Sequence, residues 1–195
     1  SSIKHLDAME RQSGASSDLL AQKGMALDMM GRHADARKIF EQAMSLDPSD
    51  ALARRNYLLF LSQEAFRADK RNNKKRAIEI CEQQLALDQN YEPALAFLAS
   101  LYLGSKRKAD AKELLKRLVA NDPRSPQKRV LAGSIYLRDS MRKEAQALFK
   151  EATDLEPSPA CFFFIGINYL EVEELKPALK YFDRVAEEDD ADLLV

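Results

Sequence analysis

Residues 92–125 read EPALAFLASLYLGSKRKADAKELLKRLVANDPRS and contain two helical patterns joined by a short polar turn. In the first pattern, apolar residues from Leu95 to Tyr102 recur every three or four positions, so they share one face of a helix. The stretch Ala111–Leu118 shows the same spacing, and Pro123 follows it. Because proline cannot continue the helical hydrogen-bond ladder, the pattern predicts a pair of helices that ends before this residue.

The motif that ends this unit, Asn121-Asp122-Pro123, has similar copies elsewhere in the chain. They are Leu46-Asp47-Pro48, Leu87-Asp88-Gln89 and Leu155-Glu156-Pro157. The step from Gln89 to Pro123 is 34 residues, and the step from Pro123 to Pro157 is again 34 residues. A fixed period of this length is typical of repeated helix pairs, each of which needs its neighbours to bury its apolar faces.

Residues inside the period also correspond. Gly24, Ala36 and Phe40 stand in the same relative places as Gly133, Ala145 and Phe149. With this pattern the chain resembles the tetratricopeptide repeat family. The resemblance implies an all-α fold, a right-handed superhelical solenoid of antiparallel helix pairs with about five repeats over 17–195. The expected units are 17–50, 51–91, 92–125, 126–158 and 159–192, and residues 1–16 look like the second helix and turn of a partial N-terminal repeat.

The second unit departs from the period, because Pro48 and Gln89 are 41 residues apart. The seven additional residues correspond to about two helical turns. Apolar residues continue at helical spacing from Tyr57 to Ala68, which predicts a lengthened first helix. We expect the extension to project from the repeats and to turn within the polar stretch 69–75.

Composition narrows the class of protein. The formal net charge is −1, so the whole molecule has no strong field that would attract nucleic acid or an anionic membrane. No stretch approaches the roughly 20 apolar residues of a membrane span, which predicts no membrane insertion.

The two cysteines, Cys81 and Cys161, fall two repeats apart, and we expect both to be free thiols. This cysteine usage favours a cytoplasmic location, with the periplasm or another compartment left open.

A search for catalytic patterns finds no phosphate-binding glycine loop, no HExxH pair and no His/Cys cluster with metal-ligand spacing. We therefore expect no enzyme activity, no cofactor and no metal. His33 lies in a turn between two repeat helices and is interpreted as a surface residue.

The resemblance implies a concave groove lined by the first helix of each repeat. The positions that it implies are Met25, Arg55, Leu59, Ser100, Leu103, Ser134, Leu137, Phe163, Phe164 and Ile167. Exposed apolar rows of this kind mark interaction sites, so we expect a peptide or helix of a partner protein to bind there. Phe163 and Ile167 are the expected anchors, together with Leu137. The alternative is that these residues pack against neighbouring helices of the repeat array.

A cluster of basic residues surrounds the end of the inserted element. Its members are Arg67, Lys70, Arg71, Lys74, Lys75 and Arg76. One interpretation is a solvated turn, and the other is a patch that binds an acidic segment or a phosphate group of a partner. No exposed aromatic row accompanies the charge, so a nucleic-acid partner is not expected.

Three roles follow from these observations. The first is a protein–protein interaction scaffold that binds a peptide or helix in its groove. The second is a non-catalytic recruitment arm of a larger multidomain enzyme. The third is a structural or oligomerisation element of a secretion or pilus assembly, with contacts through uncapped ends of the array.

Overall fold

The computed structural model describes the backbone of residues 2–192 and the side chains of residues 3–12 and 14–187. This part of the chain forms α-helices and no strand. The helices are α1 (Ser2–Ser13), α2 (Ser17–Met29), α3 (His33–Leu46), α4 (Ala51–Lys70), α5 (Lys74–Leu87), α6 (Glu92–Gly104), α7 (Lys108–Ala120), α8 (Pro126–Arg138), α9 (Arg142–Leu155), α10 (Pro159–Glu171) and α11 (Leu175–Asp192). Residues 193–195, the last of the expected solenoid, lie outside the described range.

The helices pack in consecutive pairs: α2 with α3, α4 with α5, α6 with α7, α8 with α9, and α10 with α11. The chain divides into two compact units, residues 1–89 and 90–195. In the first unit, α4 packs beside α2, and α1 packs on α2. In the second unit, α8 packs beside both α6 and α10. The predicted all-α repeat architecture of helix pairs is therefore confirmed.

Side-chain caps set the start of most first helices of the pairs. Ser16, Ser125 and Ser158 each precede a helix, and their side chains accept a hydrogen bond from a first-turn backbone N–H. Asp50 caps α4 in the same way and also accepts a hydrogen bond from Ser17 Oγ. That bond and the two backbone N–H donors hold the pKa of Asp50 below its ordinary value. The cap thereby also links α4 to the start of α2.

The turn inside each pair has one recurring geometry. Its middle residue has a positive φ in all five pairs, with Gly31 at 77° in the first and Asn72, Lys106, Ser140 and Glu173 at 58–62° in the others. In the third pair, Arg107 N–H donates to Tyr102 O at 2.8 Å and closes the turn. This is the left-handed C-terminal motif that reverses the chain between two helices.

The core of three pairs depends on a glycine that faces a phenylalanine. A Cβ atom on Gly133 would lie 2.5 Å from Cε1 of Phe149, which is fully buried. The equivalent contacts are 3.0 Å between Gly24 and Phe40 and 2.6 Å between Gly166 and Phe182. Only glycine lets the aromatic ring approach the helix backbone so closely.

The second pair contains the longest first helix, because α4 has 20 residues whereas α2, α6, α8 and α10 have 13 each. This confirms the predicted lengthening. The prediction that the extension projects from the repeats is wrong for its last helical turns. Ala65 and Ala68 are buried, and Arg67 forms an ion pair with Asp28 of α2 at 3.3 Å. The continuously exposed stretch is residues 70–76, which include the turn to α5.

Both cysteines are free and buried, as predicted. Cys81 lies in α5 at the place that Phe40 and Phe149 occupy in their pairs, and it is fully buried. Burial raises the pKa of its thiol to about 12, and the charges of Glu82 and Asp69 act in the same direction. Cys161 lies near the start of α10, where burial, Glu156 and Arg184 act on its thiol, and burial dominates to raise its pKa.

Candidate functional site

The groove residues expected in the first unit lie on α2 and α4. Met25, Arg55 and Leu59 are all exposed. Met25 and Leu59 line a small depression of about 120 Å³ between the two helices, with Phe60 and Asp28 at its wall. Arg55 is not part of this depression. The structure therefore brings together two of the three residues, in a space too small for more than one side chain.

In the second unit, three of the expected groove residues are buried. Leu103, Ser134 and Leu137 are each at most 4% exposed, and of these three Ser134 alone lines a groove. Side chains that neighbouring helices already cover offer almost no surface to a ligand. Ser100 is exposed, but its hydroxyl donates to Ala96 O of its own helix at 3.2 Å. Leu103 and Leu137 are therefore corrected from binding residues to packing residues.

A wider apolar groove lies between α8 and α10, with a volume of about 390 Å³. We call it the α8–α10 groove. Its lining residues are Pro126, Gln127, Val130, Leu131, Ser134 and Arg138 of α8, Glu156 of the preceding turn, and Ala160, Cys161, Phe164 and Asn168 of α10. This volume falls within the roughly 300–1,000 Å³ of typical ligand pockets.

Helical spacing explains both walls of this groove. On α8, Gln127, Leu131, Ser134 and Arg138 follow one another at steps of three or four residues. The α10 wall repeats this spacing, and its large apolar member is Phe164, with 57% of its surface accessible. Each helix therefore contributes one continuous stripe, about 17 Å long on α8 and about 12 Å long on α10.

The polar side chains within the stripes are already hydrogen-bonded to their own helices. Ser134 Oγ donates to Leu131 O at 2.8 Å, and Asn168 Nδ2 donates to Phe164 O at 2.8 Å. At one end of the groove, Arg138 of α8 and Glu171 of α10 form an ion pair at 2.9 Å. The middle of the groove is consequently apolar, and its charged groups lie at the ends.

The rings of Phe163 and Phe164 contact each other edge to face, with 6.0 Å between their centroids, but their other neighbours differ. Phe164 lines the α8–α10 groove, whereas the ring of Phe163 packs against Phe182 of α11, with 6.0 Å between the ring centroids. Ile167 is partly buried and does not line the groove either. The combination of Phe163, Ile167 and Leu137 expected from the sequence is therefore not assembled at one surface.

Sequence reasoning found Phe164 of the α10 wall but missed its groove-lining neighbours Ala160 and Asn168. The resemblance gave equivalent positions on every first helix. A groove between two such helices, however, is lined by one face of the first helix and a different face of the second. The signal was present as the spacing of Ala160, Phe164 and Asn168 at i, i+4 and i+8. Identifying it as a wall required the packing of α10 on α8.

The residues of the basic cluster have different surroundings in the structure. Arg67 is partly buried against Asp28, Lys70 lies over the ring of Phe66, and Arg76 contacts Glu79 at 3.2 Å. The remaining members, Arg71, Lys74 and Lys75, are exposed. Arg67, Arg71 and Arg76 line one pocket in the first unit, and Lys70, Lys74 and Lys75 lie outside it.

Metal sites and membrane spans are absent from the part of the chain that the structure describes. The described residues contain no group of three or more His, Cys, Asp or Glu side chains arranged to hold a metal ion. Within the same residues, no helix has the length and apolar character needed to cross a membrane.

Comparison with known proteins gives two matches to family models, each described as tetratricopeptide repeat, over residues 17–50 and 71–132. A TPR repeat-containing protein of Dictyostelium discoideum is 28% identical over 180 residues, which cover 87% of this chain. This chain spans 66% of the length of that relative.

Solved structures with similar folds include a tetratricopeptide repeat protein from Parabacteroides merdae, with a TM-score of 0.61 and 15% identity. That match covers 95% of this chain and 72% of the other. MamA from Desulfovibrio magneticus has a TM-score of 0.54 at 19% identity, with 90% and 96% of the two chains covered. At these identities the likeness concerns the fold.

Proposed function

This chain is a tetratricopeptide repeat protein, and we propose that it is a protein-interaction scaffold that binds a peptide segment in the α8–α10 groove. The observation that carries the proposal is the exposure of Phe164 in an apolar groove of about 390 Å³. An exposed aromatic side chain beside a concave apolar surface is a typical anchor point for a partner. The proposed role is binding without catalysis.

The occupant that fits this groove is a segment with one or two apolar side chains. Val130, Leu131 and Phe164 would surround an inserted side chain and remove it from water. Ser134 Oγ and Asn168 Nδ2 already donate hydrogen bonds within their own helices, so covering these two atoms does not remove their hydrogen-bond partners. Arg138 and Glu171 at one end would contact polar flanking residues of the segment.

The proposal can be tested without knowing the natural partner. Peptides that bind the full chain would be selected from a random library, and their affinities would be measured by fluorescence polarisation. We expect Phe164→Ala to weaken selected peptides by at least about tenfold, which corresponds to about 1.4 kcal/mol. Ala160→Tyr should have a similar effect, because Ala160 is exposed and a larger side chain there would fill the groove.

Leu170→Ala is the matched control, because it removes an apolar side chain of similar exposure from the same helix that does not line the groove. We expect it to change the affinity by no more than about twofold. Since Phe164 is half exposed, its removal should leave the melting temperature nearly unchanged. Peptides that bind all three variants as well as the wild type would rule out the α8–α10 groove as the binding site.

A further inference from the structure

A second pocket, of about 330 Å³, lies in the first unit where the last turns of α4 meet the starts of α3 and α5. We call it the basic pocket. Its lining residues are His33, Glu64, Arg67, Ala68, Arg71, Asn73, Arg76 and Ile80. Three arginines and one histidine thus face a single carboxylate. None of these residues belongs to the α8–α10 groove.

The charges in this pocket are not equally available. Glu64 accepts from Arg37 Nη2, and Asp28 accepts from Arg67 Nη2 at 3.3 Å and from His33 Nδ1 at 2.7 Å. Arg67 is also held against the ring of Phe60. Asp28 thereby neutralises Arg67 and fixes the positions of Arg67 and the His33 ring, while Glu64 is already paired with Arg37.

The outer arginines have weaker ties to the protein. Arg71 is exposed and forms no ion pair with the described residues. Among the described residues, the Arg76 side chain forms an ion pair with Glu79 alone, at 3.2 Å, and both of these side chains are almost half exposed. An exposed ion pair of this kind contributes little and is readily exchanged for another partner. Two guanidinium groups therefore remain available at one pocket.

Arg76 is a cation at a position where three other repeats of this chain have an acidic residue. In three second helices the residue before the small buried alanine is acidic, namely Asp35 in α3, Asp110 in α7 and Glu144 in α9, whereas α5 has Arg76 before Ala77. An acidic residue in the first turn of a helix stabilises it, and a cation there is unfavourable. The first turn of α5 contains no acidic residue. Arg76 is thus poorly explained by the stability of its own helix.

We propose that the basic pocket binds a phosphate group, with Arg71 and Arg76 as its main ligands and the positioned ring of His33 beside them. The guanidinium fork matches two oxygens of a phosphate, and the bonds are charge-assisted. Two available guanidinium groups also match the charge of about −1.5 to −2 of a phosphorylated side chain better than the single charge of a carboxylate. The phosphate would come from a phosphorylated segment of a partner protein or from free phosphate in solution.

Calorimetric titration of the full chain can test this proposal with two probes. The first is inorganic phosphate, and the second is a short phosphoserine peptide, with the unphosphorylated peptide as its blank. We expect saturable binding of at least one probe below roughly 10 mM. A phosphopeptide that binds more tightly than inorganic phosphate would identify a partner segment as the source, and equal affinities would identify free phosphate.

The variants Arg71→Ala and Arg76→Asp should each weaken phosphate binding by at least about tenfold. Lys74→Ala is the matched control, because Lys74 is an exposed cation of the same turn that does not line the pocket, and it should change the affinity by no more than about threefold. Arg76→Asp restores the acidic residue found in three other repeats, so it should also raise the melting temperature by roughly 1–3 °C.

This pairing of lost binding with retained or increased stability separates a ligand-binding arginine from a structural one. The proposal is overturned if neither probe binds in this concentration range. It is equally overturned if phosphate binds and both arginine variants retain the wild-type affinity. Neither result would bear on peptide binding in the α8–α10 groove, which the other set of variants tests.

Discussion

At the scale of single residues, the sizes of two facing positions vary in opposite directions among the repeats. Three pairs combine a glycine of the first helix with a phenylalanine of the second, and a Cβ atom added to the glycine would lie 2.5–3.0 Å from the ring. The third pair has Ala99 and Leu115 at these positions. Both of these side chains are buried. The core volume of these four pairs is thus kept by exchanging size between the helices.

This exchange predicts a specific coupling between Gly133 and Phe149. We expect Gly133→Ala to lower the free energy of unfolding by about 1–2 kcal/mol, because the clash with the ring outweighs the better helix propensity of alanine. Phe149→Leu in the same chain should recover about 1 kcal/mol of that loss, since the third pair carries the alanine–leucine combination. Urea denaturation of the two single variants and the double variant measures the coupling, and strictly additive effects would contradict it.

The thiol of Cys81 provides a second prediction at this scale. Its pKa of about 12, raised mainly by burial, leaves the native thiol almost entirely neutral at pH 8. We expect iodoacetamide to modify Cys81 at least about 100-fold more slowly in the folded chain than in urea. In urea without reductant, both cysteines should react. Equal rates in the folded and unfolded chains would show that Cys81 is accessible.

The raised pKa of the Cys81 thiol also determines whether stability rises or falls with pH. A neutral thiol is favoured in the folded state, so its contribution is complete below the ordinary value of 9.0 and is lost as the pH rises towards about 12. Burial also raises the pKa of Tyr57 to about 12, so this tyrosine acts in the same direction from its ordinary value of 10.0. Stability should therefore fall with increasing pH above about 9.

At the scale of elements, the five turns between paired helices have the same backbone conformation but different residues. Gly31 adopts its positive φ without strain, whereas Lys106 and Glu173 hold the same conformation against the preference of residues with a side chain. Both of these residues are exposed, so their side chains have no packing role that requires them. The strain is therefore local to the turn.

We expect Lys106→Gly to raise the free energy of unfolding by about 0.5–1 kcal/mol, because the relief of strain exceeds the added entropy of the unfolded chain. Ser105→Gly is the control, because Ser105 has an ordinary φ of −103° and gains nothing from glycine. It should be neutral or slightly destabilising. Chemical denaturation compares the two variants, and a Lys106→Gly chain less stable than the wild type would contradict this explanation of the turn.

At the scale of the whole molecule, the sequence predicts what depends on local pattern. The apolar stripes and the terminal prolines predict the helices because each signal acts within a few turns of one helix, and the period of 34 residues predicts that the helices recur as pairs. The longer α4 followed from the same spacing. The packing of α4 could not be predicted in this way, because Arg67 forms its ion pair with Asp28 of another helix.

The candidate sites were harder to predict, since each lies between elements. The apolar residues of α10 occur on more than one face, and the sequence does not show which face meets α8 and which meets α11. Phe164 and Phe163 were therefore assigned together, although only Phe164 lines the groove. The basic cluster was visible as charge, but its association with His33 of α3 required the structure.

The central claim is that a partner segment binds between α8 and α10. Hydrogen–deuterium exchange of the full chain, with and without a saturating selected peptide, tests it most directly. We expect slower exchange of backbone amides in residues 126–138 and 159–171 when the peptide is bound, because both walls of the groove become covered. Unchanged exchange in these two helices, with protection confined to α2 and α4, would contradict it.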